Sequence, residues 1–205
     1  MPRKLQLLTV IFFTCLSVIS ISTNAQHCAG ASGSGVCTPL SGITQMGFFP
    51  PDTSFPCFVI GQASDQTINF HTPPTAQGYN LNWVQVRNIE RTPCGLCWRS
   101  NDSQDRVAGN ATGCVRITGT TYDAPGQYGI LVYADANVTV GFIPFTVQNL
   151  HLDSVMGLHY YLRVRHDNEA CPPVDTLLPS LERHIVGSAP TPTITGASTL
   201  CPGAT

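Results

Sequence analysis

Lysine is almost absent from this chain: Lys4 is the only one in 205 residues, and charged residues of every kind make up 11% of the total. Setting aside the first 25 residues leaves arginine alone against the twelve acidic residues, a mildly negative balance. A chain without clustered basic residues cannot neutralise a phosphate backbone, which excludes a nucleic-acid partner. Long apolar runs are missing beyond residue 22, so no later segment approaches the about 20 residues that a membrane span needs. Oxygen ligands are sparse as well. Asp102 and Asp105 share one polar loop, but no complete calcium-binding pattern surrounds them.

What the chain has instead is an export signal and cysteine. Arg3 and Lys4 form a short basic start, Leu5 to Ile21 is mostly apolar, and Thr23-Asn24-Ala25 offers small residues before Gln26. Residues 1–25 therefore read as a secretory signal peptide. Cys28, Cys37, Cys57, Cys94, Cys97, Cys114, Cys171 and Cys201 remain after it, and an even set in an exported chain reads as disulfides before metal or catalysis.

The remaining sequence reads as almost entirely β. Residues 26–56 are rich in Gly, Ser and Pro and form an irregular opening segment, with Cys28–Cys37 as a candidate loop closure. Short β-branched and aromatic runs follow, bounded by turn formers: Cys57–Ile60, Thr67–His71, Asn80–Ile89, Cys114–Thr118, Gln127–Ala136, Val138–Val147 and Leu158–Arg165. The apolar phase slips within Asn80–Ile89, as a β-bulge would require. Helical turns are expected only at Asp153–Gly157 and Thr176–Arg183. About seven short strands predict an all-β, Ig-like antiparallel sandwich over residues 57–187, with a linker and the start of a second repeat over 188–205.

Thr92–Trp98, TPCGLCW, invites three catalytic or metal readings. A redox dithiol needs a helix N-terminus to depress one thiol, and the turn formers after Cys97 do not offer it. A papain-like nucleophile at Cys97 needs the same helix, and Arg91 stands where its glutamine belongs. Zinc needs two further ligands at matching spacing, whereas Cys57 and Cys114 are isolated and His151, His159 and His166 are widely spread. The favoured reading is structural, with no catalytic residue, cofactor or metal. Cys94 or Cys97 bridged to Cys114 would close the polar loop Arg99–Thr112, a closure worth about 3 kcal/mol for about 15 residues. Trp83 and Trp98 are expected in the core. On the last strand, His159, Tyr161 and Arg163 are expected to form a surface stripe.

Three motifs then occur in order: TPCGLCW, GCVRITGTT and APGQY, the last within Asp123–Tyr128. Together they resemble a family of Ig-like domains related to the cadherin-like modules of dystroglycan. The match rests on Pro93, Gly95 and Leu96, on Gly113, Ile117, Gly119 and Thr120, and on Gly126 with Tyr128. Thr92, Thr121 and Gln127 depart from the family pattern. The resemblance implies a sandwich module and a tyrosine corner at Tyr128, whose hydroxyl bonds back to the preceding connection. Pro190–Thr205 resembles the opening of another Ig-like repeat of Bacteroidota surface proteins, a class exported by type IX secretion. That resemblance implies a truncated chain, further domains in the full-length protein, and a Cys201 without its intended partner. The expected function is a secreted or cell-surface spacer, scaffold or adhesion element that meets an extracellular protein or glycan. An alternative is a carbohydrate- or peptide-binding module using Phe48, Phe49, Tyr160 and Tyr161 as exposed platforms. A thiol enzyme acting through Cys94 or Cys97 stands last.

Overall fold

Valine, isoleucine, threonine and aromatic residues pack well on pleated surfaces, and here they fall in short runs between glycine, proline and asparagine. The computed structural model describes residues 24–25, 27–28, 30, 32–175 and 184–185. Its strands, in chain order, are β1 (Asn24–Ala25), β2 (Gly47–Phe49), β3 (Phe58–Val59), β4 (Ala63–His71), β5 (Thr75–Ala76), β6 (Tyr79–Glu90) and β7 (Leu96–Ser100). They continue as β8 (Arg106–Ala108), β9 (Thr112–Thr120), β10 (Gly126–Gly129), β11 (Leu131–Val140), β12 (Ile143–His151), β13 (Tyr161–Arg165) and β14 (His184–Ile185). One short helix, α1 (Leu152–Met156), ends at Gly157 with a left-handed φ of 64°. The expected turn at Asp153–Gly157 is thus formed. Thr176–Arg183, most of the signal segment, residues 188–205 and Cys201 lie outside the described residues.

The strands build three sheets. One runs β1-β6-β11-β12, with β5 and β8 also on β6; a second runs β2-β4-β9-β7; a third runs β14-β10-β13-β3. Pairing is antiparallel except between β13 and β3. Ile68 of β4 and Val115 of β9 join Val86 and Ile89 of β6 and Val132 of β11 in one core, which Tyr128, Leu162 and Val164 extend into the third sheet. The fold is therefore an all-β sandwich stapled by disulfides. The opening segment contributes to that core through Phe55 and Phe48.

Two expected strands are drawn differently by the structure. Gln127–Ala136 is not one strand. The chain pairs with β13 up to Gly129, changes sheet at Ile130, whose N–H bonds Tyr160 O, and pairs with β6 from Leu131. The alternation of Tyr128, Ile130, Val132 and Ala134 survives because all four side chains enter the core. Val138–Val147 is not one strand either. It folds into a hairpin at Gly141-Phe142, between the paired residues Val140 and Ile143, with Gly141 at φ 62°. The expected bulge in β6 is present, because its register with β11 shifts twice.

Trp98 is 2% exposed and central, whereas Trp83 is half-buried on the opposite side of β6, under the Arg106 guanidinium at 4.2 Å. The expected stripe of His159, Tyr161 and Arg163 is corrected in part: His159 is exposed but lies before β13. Tyr161 and Arg163 are buried, because Arg163 reaches the carbonyls of Thr53, Phe55 and Pro172 and so pins both flanking segments.

One ionic contact holds the irregular part of the β11–β12 ladder. Between Ala134 and Ala136 the register shifts, and Asp135 there is 2% exposed. Its carboxylate accepts from Arg87 Nε at 2.7 Å and from the Asn149 N–H at 2.9 Å. Burial opposes the charge, but the hydrogen bonds from Arg87 and Asn149 and the charges of Arg87 and Arg106 hold the carboxyl below its ordinary value. A depressed carboxyl stabilises fully above its unfolded pKa of about 3.9, and that contribution is lost as pH falls through the folded value. Asp135→Asn is expected to cost about 1–3 kcal/mol at pH 7 in urea unfolding, with the difference shrinking towards pH 3.

Candidate functional site

The motif-bearing residues converge where β7 meets β9. Pro93–Leu96 forms a tight turn, with the Leu96 N–H on Pro93 O at 3.2 Å and Gly95 at φ +85°. Leu96 then pairs with Gly119, Cys97 with Thr118 and Trp98 with Ile117. The backbones here approach too closely for side chains. A Cβ on Gly95 would lie 2.1 Å from Thr120 O, and one on Gly119 would lie 2.1 Å from Gly95 O. Gly119 also holds φ +134°, which a side chain disfavours.

The third motif closes on the first. The Asp123 carboxylate accepts the Cys94 N–H at 2.9 Å, and the Asp123 N–H bonds Thr121 Oγ1. Tyr128 Oη donates to Ala124 O at 2.7 Å, four residues back, which is the tyrosine-corner bond. Pro93, Gly95, Leu96, Gly119 and Thr120 thus form one node, with Ile117 packed beneath it and Gly126 and Tyr128 joined through Asp123. Gly113 is apart, near the start of β9. A Cβ there would meet Val107 at 2.3 Å and Phe70 at 2.8 Å, so its role is close packing.

The disulfides differ from those expected. Cys28 pairs with Cys97, Cys37 with Cys114, and Cys57 with Cys171. Cys97 lies across from Thr118, four residues along β9 from Cys114, and Cys94 lies farther back before β7. Four strand residues span about 13 Å, well beyond disulfide reach. Cys28 instead lies beside β7, its N–H on Trp98 O at 3.0 Å, which carries it to Cys97 and away from Cys37. The loop after β7 needs no bridge across its base. Asp102 Oδ1 accepts the N–H groups of Gln104 and Arg106, and Asn101 Oδ1 accepts the Cys114 N–H. Turn chemistry of this kind orders a polar loop by itself.

Cys94 is disulfide-bonded too, so every cysteine among the described residues is oxidised. Cys97 lies in a strand, so no helix dipole acts on it. Among the described residues no group of three His, Cys, Asp or Glu side chains is placed to hold a metal ion. His159 is engaged by Asp153 at 2.9 Å.

None of the four expected aromatic platforms is fully exposed, and Phe48 and Phe49 are half-buried. Tyr160 and Tyr161 are 3% and 5% exposed, and Phe48 packs against the core edge-on to Tyr160. Burial raises the Tyr160 hydroxyl above its ordinary value, and its proton is committed to Pro50 O at 2.9 Å. Exposed aromatics lie elsewhere, at Tyr79, at Tyr122, and at Phe142 and Phe145 of the hairpin. Reading the hairpin as one strand hid the last two, and Gly141 was the signal for the turn. An apolar cavity of about 60 Å³ also lies between the sheets, lined by Ile68, Phe70, Val86 and Val132 and flanked by Met46 and Met156.

These features define a disulfide-stapled all-β sandwich with a glycine-centred structural node. No family model, curated protein or solved structure matches the chain.

Gly119→Ala is expected to cost about 3 kcal/mol or more, because the added methyl meets backbone that cannot yield. Gly141→Ala, at a left-handed φ but with nothing within 4 Å, should cost only about 1 kcal/mol. Tyr128→Phe should fall between, at roughly 1–2 kcal/mol. Denaturant unfolding of the three variants under oxidising conditions checks the order.

Proposed function

We propose that this chain is a non-enzymatic Ig-like module of a secreted or cell-surface protein, acting as a spacer, scaffold or adhesion element. Its partners are an extracellular protein or glycan. The observation that carries this reading is the oxidised state of Cys94 and Cys97, the two thiols whose spacing most invited chemistry. Cys97 is bridged to Cys28 and not to Cys94, so the two do not form a C-x-x-C redox couple, and a bridged sulfur is not an attacking thiolate.

Three further observations support it. The bridges join residues 69, 77 and 114 positions apart, so each closes a loop worth roughly 4–5 kcal/mol in the chain-entropy model. Such staples persist in oxidising compartments, and they agree with an extracellular location. Among the described residues no helix is long and apolar enough to cross a membrane. The node of Gly95, Gly119, Asp123 and Tyr128 joins strands of two sheets through the connection between β9 and β10, which suits a rigid spacer.

Maleimide labelling of the folded, unreduced protein, followed by peptide mapping, tests the reading. Cys94 and Cys97 should remain unlabelled until reductant is added, and reduction should lower the midpoint of thermal unfolding by well over about 10 °C. Rapid labelling of either cysteine in the native protein at neutral pH would overturn it in favour of thiol chemistry.

A further inference from the structure

The sheet β6-β11-β12 runs past the strands that cover it. β4 ends at His71 and β9 begins at Thr112, whereas β11 and β12 continue to their turn at Gly141-Phe142. The ladder registers show which side chains share the uncovered side. Leu81 pairs with Val138, and Val138 pairs with Phe145; Val140 pairs with Ile143 one step nearer the tip. Tyr79, two residues before Leu81 in β6, continues the outer row by alternation. Leu81, Ala136 and Val138 form a small core of their own, separate from the main one. Around it Phe142 is 101% exposed, Ile143 72%, Phe145 59%, Tyr79 47% and Val140 44%.

The reverse side of the same strands is polar and satisfied. Asn82 Nδ2 donates to Asn137 Oδ1 at 2.7 Å and to Thr139 Oγ1, and Asn137 Nδ2 donates to Thr146 Oγ1 at 2.8 Å. A sheet with one polar face facing solvent and one apolar face is built to bury the second. Here the apolar face is the one left open.

Its chemistry selects the occupant. Neither 75–86 nor 136–150 contains a charged residue, so two copies of this face meet without like-charge repulsion. The absence of lysine and arginine removes the attraction by which interfacial segments settle on anionic lipid. Strand addition at the β12 edge is also blunted. Val140 and Ile143 close a two-residue loop, so Pro144 takes the outward-facing position of the ladder, where it has no N–H to offer a new strand. Association must then use the face. The five exposed side chains present on the order of 500 Å² of apolar surface, at the upper end of what monomers show. Doubled across a two-fold axis, that reaches the roughly 1,000 Å² at which specific interfaces begin.

We propose that this face is a self-association surface, on which two copies pack their Tyr79, Val140, Ile143 and Phe145 side chains sheet against sheet about a two-fold axis. The interface is isologous, with Phe142 of each copy at its margin. It goes beyond the spacer or adhesion reading and does not depend on the oxidation state of Cys94 or Cys97.

Sedimentation equilibrium of the oxidised chain tests it. The weight-average mass should rise from one chain towards two between about 10 µM and 1 mM. Ile143→Glu combined with Phe145→Glu should hold the mass at one chain throughout, while circular dichroism and the melting midpoint stay within about 2 °C of the parent, because both side chains are exposed. Independently of any variant, amide chemical shifts should move with concentration at residues 79–81 and 138–147. A parent that stays single at 1 mM, a charged variant that associates equally, or shifts confined to another surface would each overturn the proposal. So would concentration-independent mass together with binding to neutral phosphatidylcholine vesicles, which would assign the face to lipid.

Discussion

Where the turn at Gly95 meets Gly119 and Thr120, two main chains come closer than any side chain permits: the Gly95 carbonyl fills the space a Cβ on Gly119 would need, and the Thr120 carbonyl fills the space a Cβ on Gly95 would need. The close contact sets the register of β7 against β9, and through it the depth at which Trp98 and Ile117 enter the core. It also brings Cys97 beside Thr118, with Cys28 held there by the bond from its N–H to Trp98 O. From the other side, the Asp123 carboxylate fastens the turn to the connection that Tyr128 closes, and β10 leaves for the third sheet from that point. A strand pairing, a disulfide and a change of sheet all follow from one backbone approach. Cβ-bearing residues would push these strands apart, and the interior of a sandwich has no slack to absorb the shift.

The disulfides do a different job. Two of them fix the opening segment to the second sheet, and the third ties the residues before β3 to those after β13. In each case a stretch with few apolar residues is held to an element that has many. Segments of that composition cannot offset their ordering entropy by burial alone. The buried Arg163 acts in the same place as the third bridge, reaching carbonyls on both segments that it joins.

The sequence was most legible where local chemistry decides the outcome. The alternation in β6, the phase slip of its bulge, the turn at Gly157 and the tyrosine corner at Tyr128 all depend on neighbours within a few residues. Pairing across long separations was not legible. Nothing near Cys28 says that Cys97 lies closer in space than Cys37, since that depends on which strand lies beside residues 27–28. Ile130 was opaque for a related reason: a strand that changes sheet keeps its period of two, so the pattern of buried residues does not break. The hairpin at Gly141 failed in the opposite sense. Apolar residues on both sides of the turn suggested one continuous strand, and their exposure is visible only once the covering sheet is seen to end. Tyr161 and Arg163 share one strand as expected, with His159 left before it, but burial through long-range carbonyl partners has no local signature.

The order in which the three bridges interlock has a mechanical consequence. Cys28, Cys37 and Cys57 pair in sequence with Cys97, Cys114 and Cys171. If the folded strands were pulled apart by tension along the chain, the load between Cys28 and Cys171 would run through the opening segment and across the last bridge. The covalent path is then roughly 29 residues instead of about 143, or about 100 Å of extension in place of about 500 Å. The reach between those two points is thus held to about a fifth of the uncrosslinked chain's even when the strands are unfolded, and everything from β3 to β13 hangs outside the loaded path.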